Sequence, residues 1–163
     1  MSGQWNDISQ SEAWISQSIS QPDTLQFTIE LLSDAVEGTS KSPTPKIIGF
    51  IGTLILPESE SYQGVLREIG FMLHPHAWGK GYASEALQGL IKNIFEKSDW
   101  THLIARADEG NRASNRVIEK TGFKKVEQVE YENRTLGKRT LLKYELAKSE
   151  PTVASVNCEI VKG

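Results

Sequence analysis

The chain has 163 residues and a mass of 18.2 kDa, with 38% hydrophobic and 24% charged residues. That length and profile suit one water-soluble domain and leave little room for two. Eighteen basic and twenty-one acidic residues give a net charge of -3, which argues against a general binder of nucleic acid backbones. The single cysteine, Cys158, excludes an internal disulfide and a thiolate zinc cluster. No apolar run approaches the ~20 residues of a membrane span, so no membrane partner is expected. The opening MSGQWNDISQ lacks a signal-peptide pattern, and a reducing, cytoplasmic setting is expected.

In chain order, Ser9 to Ser20 reads as a short helix, with Pro22 just past its end. Leu25 to Leu32 alternates apolar and polar residues, as a half-buried strand does. Ser33 to Lys46 is polar and carries two prolines, so it reads as a loop. Ile47 to Leu56 and Val65 to Leu73 are the next strands, joined by a polar loop at Glu58 to Gly64. From Ala83 the period changes: Ala83, Ala86, Leu87, Leu90, Ile91, Ile94 and Phe95 recur with helical spacing. Thr101 to Ala107 is a strand. Asn111 can cap a second helix running to about Lys120, closed by a left-handed Gly122 that lets Phe123 fold back onto Ile118. Lys124 to Tyr131 and Thr140 to Leu146 form a last hairpin around Asn133 to Lys138. The sum is an α/β (α+β) domain over residues 1–148, with a mixed, mostly antiparallel sheet flanked by helices. A tail over 149–163 reads as an added strand or as nothing.

The segment Trp78-Gly79-Lys80-Gly81-Tyr82-Ala83 joins a strand to the amphipathic helix. Glycines permit positive φ and close approach of a ligand. The helix start adds unpaired amides and the positive end of its dipole. A pyrophosphate suits such a loop, although a lone GxG is more often a plain turn. The residues do not spell a P-loop. The dinucleotide pattern fails too, because Ser84 stands where the third glycine belongs.

Three blocks in order, Glu68-Ile-Gly-Phe-Met-Leu, Trp78-Gly-Lys-Gly-Tyr-Ala-Ser-Glu-Ala and Asn111-Arg-Ala-Ser-Asn-Arg-Val-Ile-Glu-Lys-Thr-Gly-Phe123, closely resemble GCN5-related N-acetyltransferases (GNAT). The branch they look like includes the ribosomal-protein N-terminal acetyltransferases. The resemblance implies the GNAT acyl-coenzyme A acyltransferase fold, with acetyl-CoA as co-substrate and no metal. It places Trp78, Gly79, Lys80, Gly81, Tyr82, Ala83 and Ser84 at the pyrophosphate. It sets the Phe71-Met72-Leu73 backbone along the pantetheine arm as an added strand, and puts Asn111, and more weakly Asn115, beside the cofactor. Asn111 is equally a plain helix cap. Lys80, Arg112 and Arg116 are candidate partners of the outer phosphate or simply solvated charges.

The sequence departs from the family pattern in three ways. Trp78 replaces the usual Gln or Arg that opens the loop. Ile118 stands where many members carry a tyrosine general acid. The usual first strand and helix are expected to be missing, with the tail a candidate to cover the exposed edge or to pair with a second subunit in a homodimer.

Acetyl transfer needs a neutral amine. An α-amine has a pKa near 8 and a lysine amine one near 10.4, so deprotonation at pH 7 costs about 1.4 and about 4.6 kcal/mol. An α-amine is the easier acceptor and needs only a modest base. Glu68 alternates with Ile69 and Phe71, so its carboxylate leaves their apolar face. It is the candidate base, or else a salt-bridge partner. Ser114, one turn after Asn111, is a candidate proton donor or an ordinary third helix residue. A free N–H near Met72 or Leu73 could serve an oxyanion. The expected acceptor is a peptide N-terminus or a small amine. The alternative is a catalytically silent acyl-CoA-binding or regulatory module.

Overall fold

The computed structural model describes residue 16 and residues 24–31, 46–55, 66–133 and 137–148. The expected helix at Ser9–Ser20, the loop after Leu32, the turn at Glu58–Gly64 and the tail from Ser149 lie outside the described residues, apart from Ser16 and Lys46. The strands are β1 (Gln26–Leu31), β2 (Lys46–Ile55), β3 (Leu66–Leu73), β4 (His102–Asp108), β5 (Lys124–Asn133) and β6 (Gly137–Ala147). The helices are α1 (Tyr82–Lys97) and α2 (Arg112–Lys120).

They form a six-stranded sheet in the order β1-β2-β3-β4-β6-β5. Only β3 and β4 run parallel. Their connection contains α1, and parallel neighbours need such a crossover. Hairpin partners β5 and β6 are ordered so that β6 lies between β4 and β5.

Both helices cover the same face of the sheet. Leu87, Leu90 and Ile94 of α1 and Ile118 of α2 are buried against Ile51, Ile69, Leu103, Ala105, Leu142 and Tyr144. The helical period expected from Ala83 to Phe95 is therefore the core stripe of α1. At the end of α2, Gly122 takes φ 97° and Phe123 is buried in the same core as Ile118. Because strand side chains alternate, Ile69, Phe71 and Leu73 face the helices, while Glu68, Gly70 and Met72 lie on the opposite face.

The sheet opens at one point. β3 and β4 pair from Leu66↔His102 to Ile69↔Ala105 and no further, although β3 runs on to Leu73 and β4 to Asp108. Past Ile69 the two strands part, and β3 stays bonded only to β2. In open sheets with parallel strands, such a gap at the strand C-termini is where ligands enter.

Candidate active site

The gap is framed by β3, β4 and the loop after β3. The backbone of β3 is polarised by its pairing. His74 N–H donates to Ile48 O at 2.8 Å, so alternation turns the N–H and C=O of Met72 toward β2 and those of Phe71 and Leu73 toward the gap. This corrects part of the expectation: the Met72 backbone serves the sheet, and its side chain is exposed on the far face. Leu73 N–H is the amide that addresses the gap near the strand end. Leu73 O is taken by the indole Nε1–H of Trp78 at 2.9 Å. Trp78 thus latches the glycine loop to β3, a role that no sequence pattern announced.

The loop leaves its amides open. His74 to Ala77 makes one 3₁₀ turn, and Trp78 N–H closes it onto Pro75 O. Gly79 and Gly81 then take φ 74° and 86°, the left-handed region that other residues enter at a cost of roughly 1–2 kcal/mol. The first α-helical bond runs from Glu85 N–H to Gly81 O. Among the described residues nothing accepts from the N–H groups of Gly79 through Ser84, and Gly81 supplies no capping side chain. Ala83 and Tyr82 pack on the Ile48–Leu73–Ala77 cluster, and Ser84 is buried, so the helix start is anchored while its amides face outward. A diphosphate fits this row of donors and the dipole behind it. Lys80, Arg112 and Arg116 are exposed.

Glu68 lies on the face away from the helices and accepts a hydrogen bond from Arg106 Nη1 of β4 at 2.9 Å. The two side chains are 18% and 21% exposed. The pair bridges β3 and β4 just where they separate. Glu68 is thus a salt-bridge partner, and it stands at the mouth of the gap.

The second helix divides the remaining candidates. Asn111 is its cap, with Oδ1 accepting from Ser114 N–H at 3.2 Å. Ser114 is half-buried in the first turn. Asn115 has a structural task that departs from the cofactor role expected of it. Its Nδ2 donates to Asp108 O at 3.0 Å and to Glu109 O at 3.2 Å, and Tyr144 OH lies 3.1 Å from its Oδ1. With both amide protons donated to carbonyls, Asn115 ties α2 to the end of β4. Tyr144 OH also lies 3.2 Å from Glu119 Oε1. Burial, then the Glu119 carboxylate, pushes this phenol above its usual range and keeps it neutral.

Asp108, at the end of β4, is another group the sequence reading missed. Arg139 of β6 grips it in a bidentate pair, with Nε 2.8 Å from Oδ2. Gly110 N–H donates to Oδ1 at 2.8 Å and Tyr131 OH to Oδ2 at 3.1 Å. Chiefly through the Arg139 bond, its pKa is held down at about 2, against an ordinary 3.8. A depressed folded-state pKa stabilises the fold above the ordinary value, and that stability is lost as pH falls through about 2. After allowance for solvent screening, the contribution is about 1 kcal/mol. Asp108→Asn is therefore expected to lower the urea midpoint at pH 7, with the deficit shrinking between pH 4 and pH 2. A deficit that stays constant over that range would contradict this account.

Several other polar and aromatic side chains fall elsewhere. His74 and His76 stack at 4.9 Å and are exposed, and the described residues contain no group of three side chains able to hold a metal. Glu127 pairs with Lys143 at 3.8 Å, and Glu130 and Glu132 are exposed on β5. Cys158, Trp5 and Trp14 lie outside the described residues.

The acetyltransferase (GNAT) domain family matches residues 1–124. The protein YkkB of Bacillus subtilis (strain 168) is 38% identical over 80 residues, 49% of this chain and 45% of that one. The N-acetyltransferase YoaA of the same organism is 31% identical over 101 residues, covering 60% and 55% of the two chains. The chain spans about half the length of these curated relatives. Among solved structures, a GNAT-family acetyltransferase from Bacillus anthracis superposes with a TM-score of 0.53 at 25% identity, covering 64% of this chain and 60% of that one. A spermidine N-acetyltransferase from Vibrio cholerae, solved with CoA and spermine, shares the fold with a TM-score of 0.69 at 14% identity, over 90% and 78% of the chains. A parted pair of parallel strands, an open glycine loop at the helix start and a family match over most of the length agree: the chain belongs to the GNAT acetyltransferase family.

Proposed function

We propose that the chain is an acetyl-CoA-dependent N-acetyltransferase whose acceptor is a primary amine. The observation that carries this reading is the row of amides from Gly79 to Ser84, engaged by none of the described residues, beside the gap between β3 and β4. Those amides hold the pyrophosphate. The open edge of β3 at Phe71 pairs with the pantetheine arm, and Asn111 and Lys80 border it. Bound acetyl-CoA supplies an activated acetyl thioester.

The protein's own part is positional and acid–base. Leu73 N–H donates to the thioester oxygen, where charge builds as the amine nitrogen bonds to the carbonyl carbon and the C–S bond breaks. Glu68 accepts the proton that the ammonium acceptor must lose, directly or through one water. Arg106 holds that carboxylate at the edge of the gap. Coenzyme A leaves as a thiolate and takes up, directly or through solvent, the second proton that the nitrogen sheds on becoming an amide, so Ile118 in place of a tyrosine does not block the reaction. Ser114, the hydroxyl in the first turn of α2, is the candidate to return a proton. The favoured acceptor is an α-amine, which costs about 3 kcal/mol less to deprotonate than a lysine amine. The resemblance to ribosomal-protein N-terminal acetyltransferases supports the same choice.

The test is thiol release from acetyl-CoA with peptides of free N-terminus and with polyamines. Acceptor-dependent thiol is the expected result. Tight coenzyme A binding with no release for any amine would make the chain a silent acyl-CoA-binding module instead.

A further inference from the structure

We propose that Gly70 is a steric gate for the acceptor, leaving the space in which an amine on a branched carbon stands. This inference rests on the acetyltransferase reading. Gly70 is the first residue of β3 beyond the last pair with β4. It shares its face with Glu68, two residues earlier, and with Leu54 of β2, the register partner of Glu68. Glycine weakens a strand interior and often marks a close approach by a ligand or another backbone.

The described residues give Gly70 no reason to be glycine. Its φ is not positive, and a Cβ built on it would meet only Leu54 Cδ1 among the described residues, at 4.0 Å. The other strand glycines differ. A Cβ at Gly49 would lie 2.5 Å from Met72 O, and one at Gly52 would lie 2.5 Å from Leu25 O, so packing demands them. At Gly70 the space is kept for something outside the described chain.

The position of that space selects the occupant. The donor arm lies along the β3 edge, in the plane of the sheet. A group above Gly70 stands out of that plane, on the side of the Glu68 carboxylate, and is bounded by Leu54 and Arg106. An amine that gives its proton to Glu68 must stand there, with its first carbon over Gly70. The absent side chain leaves room for a substituent on that carbon, as in the α-amine of an amino-acid residue. Leu54 is 42% exposed and offers apolar contact to the substituent.

The test uses two bisubstrate adducts in which the coenzyme A sulfur is joined through an acetyl bridge to the nitrogen of benzylamine or of 1-phenylethylamine. Their affinities, and that of coenzyme A, are measured by titration calorimetry. The unmodified protein should bind both adducts more tightly than coenzyme A and within about 3-fold of each other. Gly70→Ala should lose at least 10-fold on the branched adduct, under 3-fold on the unbranched one, and nothing on coenzyme A. Leu54→Phe fills the same space from β2 and should discriminate in the same sense, which keeps the test alive if Gly70→Ala folds poorly. Equal losses on both adducts, no loss on either, or adducts no tighter than coenzyme A would overturn the gate. A protein that binds no coenzyme A would instead overturn the acetyltransferase reading beneath it.

Discussion

Replacing Gly81 with alanine is expected to weaken coenzyme A binding by about 100-fold while moving the melting temperature by only a few degrees. The residue sits at φ 86° as the N-cap of α1. A Cβ there would touch nothing within 4 Å among the described residues, so none of their packing is lost. What changes is backbone preference. An alanine leaves the left-handed region when it can, and returning to it costs roughly 1–2 kcal/mol. Leaving it rotates the peptide planes on either side and turns amides away from the anion. A charge-assisted hydrogen bond contributes about 1.5–3 kcal/mol. The combined loss of roughly 3 kcal/mol is about two decades in Kd. Titration calorimetry with coenzyme A, alongside a thermal melt without it, separates the two effects. Unchanged affinity would mean that the loop is a turn and no more.

Glu68→Gln is expected to lower kcat by about 100-fold at pH 7 with coenzyme A affinity unchanged, within the range for loss of a positioned base. Glutamine keeps the shape and still accepts from Arg106, so the bridge between β3 and β4 persists in part. It cannot take a proton. The deficit should shrink above pH 8, where an α-amine acceptor loses its proton to solvent unaided. A pH profile of kcat is therefore more informative than one rate. Full turnover at every pH would leave Glu68 as a structural partner of Arg106 only.

The helix α1 and the loop before it were legible because their signals are local. Apolar spacing from Ala83 to Phe95 and two glycines in a row of three residues need no knowledge of the rest of the chain. The cap at Asn111 and the left-handed Gly122 are local in the same sense. The Glu68–Arg106 pair was not legible, because it joins residues 38 positions apart and depends on the register between two parallel strands. That register also decides where the strands part, so the sequence showed a strand at Val65–Leu73 but not which of its amides would be left over. Assigning Met72 and Leu73 together to the donor was the cost, since only one of two neighbouring amides can face the gap. Asn115 misled for a related reason. Its partners are the Asp108 and Glu109 carbonyls and Tyr144 of a distant strand, and β6 had to be placed between β4 and β5 before Tyr144 could reach it. The Asp108–Arg139–Tyr131 cluster needs the same placement.

The most direct measurement is a ¹⁵N–¹H correlation spectrum of the labelled protein during titration with coenzyme A. The amides of Gly79, Lys80, Gly81, Tyr82, Ala83 and Ser84 should shift downfield together and saturate with one Kd, while those of β5, far across the sheet, stay in place. A titration in which coenzyme A binds but moves other amides, leaving this row unperturbed, would contradict the site.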